Sequence, residues 1–136
     1  MAKVPLAGQF APSLSDLERL GRAAYDGLPQ NFRALCGDVL FQVEDFPSGD
    51  VLTEMKAEPF DLLGLFQGVG LAHDEAVAPT GRLPNMVFLY RRAILDYWAE
   101  NHETLGSIVT HVLIHEIGHH FGMSDDDMEA IEKATA

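Results

Sequence analysis

The chain has 136 residues, of which 9 are basic and 21 acidic, so its formal net charge is −12. This length predicts a single domain, and 47% hydrophobic residues are enough to build one core. The acidity argues against a nucleic-acid partner, because phosphate binding depends on clustered Lys and Arg. The single cysteine, Cys36, excludes an internal disulfide.

The first residues carry no apolar run of the kind that opens a signal peptide. No stretch reaches the roughly 20 apolar residues that a membrane-spanning helix needs. Together with the lone cysteine, these features predict a cytoplasmic protein without a membrane partner. They leave the oligomeric state open.

The first half of the chain predicts a helix followed by two strands. After a loose N-terminal arm (1–12), Ser15 and Glu18 have the spacing of a capping box, and Gly27 is expected to end the helix. Three segments follow: a predicted strand at 38–46, a turn at 47–50, and an apolar, strand-like segment at 60–71. The glycines of the last segment suggest a bulge or a close approach of another backbone.

The second half predicts one more strand and then helices. The expected elements are a polar loop (73–84), a strand (85–90), a helix (91–100), a long helix (103–121) ending at Gly122, and a final helix (125–133) capped by Ser124. The fold class is therefore α+β, with about three strands packed on helices that include one long helix.

The chemistry lies in the segment HEIGHHFGMSD, which begins at His115 and has the form HExxHxxGxxD. His115 and His119 are four residues apart on a helix, so their imidazoles lie on one face and can aim at one metal ion. Zinc is the expected ion, since it takes imidazole nitrogen readily. Glu116 lies slightly round the helix, where it can reach a water on the metal but is badly placed as a ligand.

The end of the motif predicts a third ligand. Gly122 tolerates the left-handed conformation that turns a chain at the end of a helix. That turn can bring Asp125 back toward the two histidines. Three protein ligands leave a fourth position open for water, which is typical of a catalytic zinc site.

Several other residues leave alternatives open. Asp126 and Asp127 compete with Asp125, but their position better suits the start of the last helix. His111 lies one turn before His115, and packing or indirect support of the site is preferred over ligation. Cys36 could cap a metal as a thiolate, but a lone cysteine is more often a small buried residue. The strand at 62–68 is either an ordinary core strand or an edge against which an extended peptide lies.

The motif resembles the metzincin clan, whose last ligand is usually His and sometimes Asp. With LLGLFQG from Leu62 and NMVFLYRR from Asn85, it is more similar to the small, one-domain bacterial zincin-like metallopeptidases. This resemblance spans about residues 38–128. It implies an α+β zincin fold that binds Zn²⁺ through His115, His119 and Asp125, and a peptidase that acts on peptides or proteins with Glu116 as general base.

The sequence departs from related patterns in two ways. A typical metzincin has a methionine-bearing turn well after the third ligand, and here only Met128 is available. The gluzincin arrangement takes a glutamate from a later helix, but Glu129 and Glu132 follow very closely in sequence. Two other functions remain open: a zinc-binding module without activity, and a metal-dependent endoribonuclease resembling the rRNA-maturation enzymes, which use three histidines and lack a residue equivalent to Glu116.

Overall fold

The computed structural model describes residues 4–68 and 85–135. In that part of the chain, six helices accompany a three-stranded sheet, which confirms the predicted α+β class. The strands are β1 (Val39–Glu44), β2 (Gly64–Gln67) and β3 (Asn85–Tyr90). The helices are α1 (Leu14–Asp26), α2 (Gln30–Arg33), α3 (Gly49–Met55), α4 (Arg91–Glu100), α5 (Leu105–His120) and α6 (Asp125–Thr135).

The sheet has the order β1-β3-β2, so β3 is central. It pairs in parallel with β1 and antiparallel with β2. The central strand is also the most completely apolar one, and Val87 and Leu89 are buried. Val87 and Leu89 alternate with the less buried Phe88 and so share one face, as expected where helices cover one face of a sheet.

Helices α1 and α5 pack together and cover the sheet, with α1 over β1 and α5 beside β2. Gly64 allows the second contact, because a Cβ atom there would lie 2.7 Å from Cγ1 of Val112 and 2.9 Å from the carbonyl oxygen of Phe88. The close approach predicted from the glycines of this segment is thus found at Gly64. The core is richest in residues of α5, whose apolar side chains meet the sheet, α1, α4 and α6.

Most predicted elements are confirmed, but the predicted cap of the first helix and the predicted turn at 47–50 are wrong. The first helix is capped by Ser13, not Ser15: its hydroxyl accepts from the amide of Asp16 at 3.0 Å, and the Asp16 carboxylate accepts from the Ser13 amide at 2.9 Å. The turn predicted at 47–50 leads into α3, a helix that was not predicted, and the hydroxyl of Ser48 caps it by accepting from the amide of Val51. Turns and helix N-caps favour the same residues, which explains the second error.

Two further predictions differ from the structure. The strand predicted at 60–71 is confirmed only over β2, and the short helix α2 was not predicted. A four-residue helix carries too little periodicity to be read from sequence. The polar loop predicted at 73–84, like residues 69–71, lies outside the described residues.

Candidate metal centre

Helix α5 carries the first part of the predicted motif on its last two turns. The rings of His115 and His119 have their centroids 5.8 Å apart and meet edge to face. The His115 side chain is 27% exposed, whereas His119 is exposed to solvent. The helical spacing therefore places both imidazoles on the same side of α5, as predicted.

Glu116 is partly buried in this helix. Burial raises the pKa of its carboxyl group above the usual 4.5, and the nearby His119 opposes that shift by favouring the charged form. A carboxylate with a raised pKa is a stronger base than one in open water.

The chain reverses after α5, as Gly122 predicted. Phe121 caps the helix, Gly122 has a positive φ of 74°, and the amide of Met123 donates to the carbonyl of Gly118 at 2.9 Å. The hydroxyl of Ser124 then accepts from the amide of Asp127 at 3.1 Å and so caps α6. This short connection folds α6 back against α5.

Met128 is the residue that joins α6 to the motif. Its side chain is fully buried, and a Cβ atom at Gly118 would lie 2.4 Å from its sulfur. Gly118 follows His115 by three residues and directly precedes His119. The methionine therefore packs against the helix face that carries the histidines, although it lies on a helix and not on a turn.

Glu132, one turn further along α6, reaches the same face. Its Oε1 lies 3.1 Å from Nε2 of His115 and also pairs with Nδ1 of His111. Among the described residues, His111, His115 and Glu132 form one group whose ligand atoms lie within 4.8 Å of one another. His119 and Asp125 are outside this group, and Asp125 is an exposed residue in the first turn of α6.

The contact with Glu132 was not predicted, although the sequence contains a signal for it. A four-residue connection makes neighbouring helices antiparallel. Met128 on α6 lies opposite Gly118 on α5. Because the two helices are antiparallel, Glu132, one turn after Met128, lies opposite His115, about one turn before Gly118. Closeness in sequence, which seemed to argue against Glu132, is what brings it beside His115.

The surroundings of His115 shift its pKa in opposite directions. Burial lowers its pKa most, His111 lowers it further, and Glu132 raises it by charge and hydrogen bonding. The net direction is downward, which favours a neutral imidazole. Neutral imidazole is the form that binds a metal ion.

Strand β2 lies beside the end of α5. The ring of Phe66 packs edge to face on His120 at 4.8 Å and lies 5.9 Å from Phe121. Gly68 is so close that an added Cβ atom would lie 2.4 Å from Nε2 of His120. Within the described ranges, β2 pairs with β3 only, and the side of β2 that carries Phe66 and Gly68 packs against the end of α5.

Cys36 is not placed as a metal cap. Cys36 is 4% exposed, and burial raises the pKa of its thiol. A metal ligand must be a thiolate, which this environment disfavours. The alternative interpretation of Cys36 as a small buried residue is confirmed.

Comparison with known families decides the identity. The family model described as zincin-like metallopeptidase matches residues 36–135, which is most of the chain. The chain belongs to the zincin-like metallopeptidase family. No individual curated protein gives a significant match. Among the described residues of this zincin-like protein, no helix is both long and apolar enough to cross a membrane.

The contact between Gly118 and Met128 predicts how a substitution at Gly118 changes the free energy of unfolding. We expect Gly118→Ala to destabilise the protein by about 1–2 kcal/mol, because overpacking costs about 1–3 kcal/mol and the better helix propensity of alanine returns only part of this. Chemical denaturation of the metal-free protein measures the difference.

Gly106→Ala is the matched control on the same helix. Its Cβ atom would have no neighbour closer than 4.0 Å, at Cδ1 of Leu20, so we expect a small gain in stability. Equal stability of the two variants would contradict tight packing of Met128 against α5.

The burial of Glu116 predicts a pH-dependent effect on stability. Since folding raises the pKa of this group above 4.5, its contribution to stability is fully present below that pH and is lost as pH rises through the folded-state pKa. In metal-free protein, Glu116→Gln should therefore be more stable than the wild type near neutral pH, and the difference should shrink in acid.

Urea unfolding of both proteins across this pH range tests the effect. Glu103→Gln, which removes an exposed carboxylate just before α5, is the control. A Glu116→Gln variant that is less stable than the wild type at neutral pH would show that the ionised carboxylate has a favourable partner instead.

Proposed function

We propose that this protein is a zinc-dependent metallopeptidase that hydrolyses peptide bonds with Glu116 as general base. The proposal rests on one observation above all: a partly buried glutamate of raised pKa stands next to His115 and one turn from His119 in a zincin-like chain. Catalytic bases are commonly raised in pKa by burial.

The donor atoms in this region suit zinc. Imidazole nitrogen and carboxylate oxygen are ligands that zinc takes in catalytic sites. His115, His119 and Asp125 would hold the ion. His119 and Asp125 are both exposed, so their side chains can reorient toward a bound ion without disturbing the core.

Zinc bound there would polarise the scissile carbonyl and lower the pKa of water. The protein supplies the proton transfers. Glu116 accepts a proton from the attacking water and then delivers it to the nitrogen of the leaving amine. The partly apolar surroundings of Glu116 strengthen it as a base and limit competition from bulk water.

The substrate is proposed to bind along the edge of β2 that faces away from β3. An extended peptide can add to a strand edge through main-chain hydrogen bonds. In support, Phe66 and Gly68 of this strand segment pack against His120, the residue that directly follows the proposed ligand His119. A peptide on this edge would therefore run past the motif.

The test is cleavage of a diverse peptide library by zinc-loaded protein, followed by mass spectrometry. We expect Glu116→Ala to lower kcat/KM by at least about 100-fold, because general bases contribute about 10²–10⁴-fold. Zinc content, measured by elemental analysis, should stay unchanged. Glu103→Ala is the control for the loss of a carboxylate near the same helix.

Other outcomes favour other functions. If neither protein cuts any peptide although both hold zinc, the chain is a zinc-binding module without peptidase activity. If zinc is lost together with activity in Glu116→Ala, Glu116 maintains the site and does not act as base. Glu116-independent cleavage of RNA would favour the endoribonuclease alternative.

A further inference from the structure

Three histidines follow one another on the same side of α5. His111, His115 and His119 are each one turn apart, and the rings of the first two stack with their centroids 3.9 Å apart. His115, in the middle, therefore has an imidazole neighbour on both sides. The proposed peptidase site uses only the pair formed with His119.

The other pair is completed by Glu132. Its Oε1 contacts Nδ1 of His111 and lies 3.1 Å from Nε2 of His115, so two nitrogens and one oxygen already converge. Two imidazoles and a carboxylate form a ligand set that zinc accepts, with a fourth position left over.

A pocket of about 420 Å³ opens beside this group, lined by His111 and Glu132 together with Ser107, Thr110 and Thr135. The His111 side chain is 52% exposed and that of Glu132 is 31% exposed. An ion could therefore enter from solvent and keep a water molecule as its fourth ligand.

We propose that a divalent metal ion binds between His111, His115 and Glu132, at a second position one helical turn before the peptidase site. Because a neutral imidazole offers one lone pair, His115 cannot serve both positions at once. One ion thus has two mutually exclusive places, and an ion at the second place leaves the peptidase site without metal. This last consequence rests on the proposed function.

The second position is tested by Zn²⁺ binding, measured by competition with a chromogenic chelator. His119→Ala removes a ligand of the peptidase site only, so this variant should still bind one Zn²⁺. Adding His111→Ala or Glu132→Gln should weaken the remaining binding by more than about tenfold, since even loss of an outer partner of a metal ligand costs about 10- to 100-fold.

Adding Glu129→Gln to His119→Ala is the matched control. Glu129 lies on the same helix and pairs with Lys133 at 3.2 Å, so its loss should leave Zn²⁺ binding unchanged. Circular dichroism and thermal unfolding of the metal-free proteins verify that each variant is folded. Zinc-edge anomalous diffraction from crystals of His119→Ala should place the ion between His111, His115 and Glu132.

The proposal is overturned if folded His119→Ala binds no Zn²⁺, or if His111→Ala and Glu132→Gln bind as tightly as the Glu129→Gln control. Loss of binding with Glu132→Gln but not with His111→Ala would also overturn it, because Glu132 would then serve a site without His111. None of these results depends on peptide cleavage, so failure of the peptidase proposal is recognised separately by the library assay.

Competition between the two metal positions is tested separately, in protein that retains His119. We expect Glu132→Gln to raise kcat per bound zinc with KM unchanged, because the ion would no longer be drawn from the peptidase site. An unchanged or lower kcat would overturn the competition.

Discussion

The packing of Met128 against Gly118 is the constraint on which the site depends. A side chain at residue 118 would hold α6 away from α5, and its absence lets a fully buried methionine sit against the helix that carries the histidines. The reversal at Gly122 makes this contact possible by turning the chain within four residues. Two glycines, one permitting contact and the other permitting a turn, thus set the geometry of the hairpin.

That hairpin brings a polar residue of α6 against the side of α5 that carries His111 and His115. His120, at the end of the helix, meets the edge strand through Phe66, and the motif histidines precede it. Glu132 then faces His115 and His111 further back, beside the pocket. The apolar residues of α5 face the core, and solvent reaches its exposed residues His111, His119 and His120.

Glu116, His115 and Asp125 of the motif differ in their burial and electrostatic surroundings. Burial raises the pKa of Glu116 and lowers the pKa of His115, and these are the directions that suit the general base and the metal ligand proposed for them. Asp125 is different, because it lies exposed in the acidic first turn of α6, where the helix dipole already favours its charge. Movement of the Asp125 side chain would therefore not disturb the core.

The sequence by itself determined the class of fold, the sheet, the two long helical segments and the motif, because hydrophobic periodicity, capping residues and i, i+4 spacing are local properties. It also indicated the turn at Gly122. Only the tertiary structure decided that Met128 lies against Gly118, that β3 lies between β1 and β2, and that Glu132 meets His115 and His111. These contacts depend on which faces of separate elements meet, and that is set by the fit of side chains across the whole core.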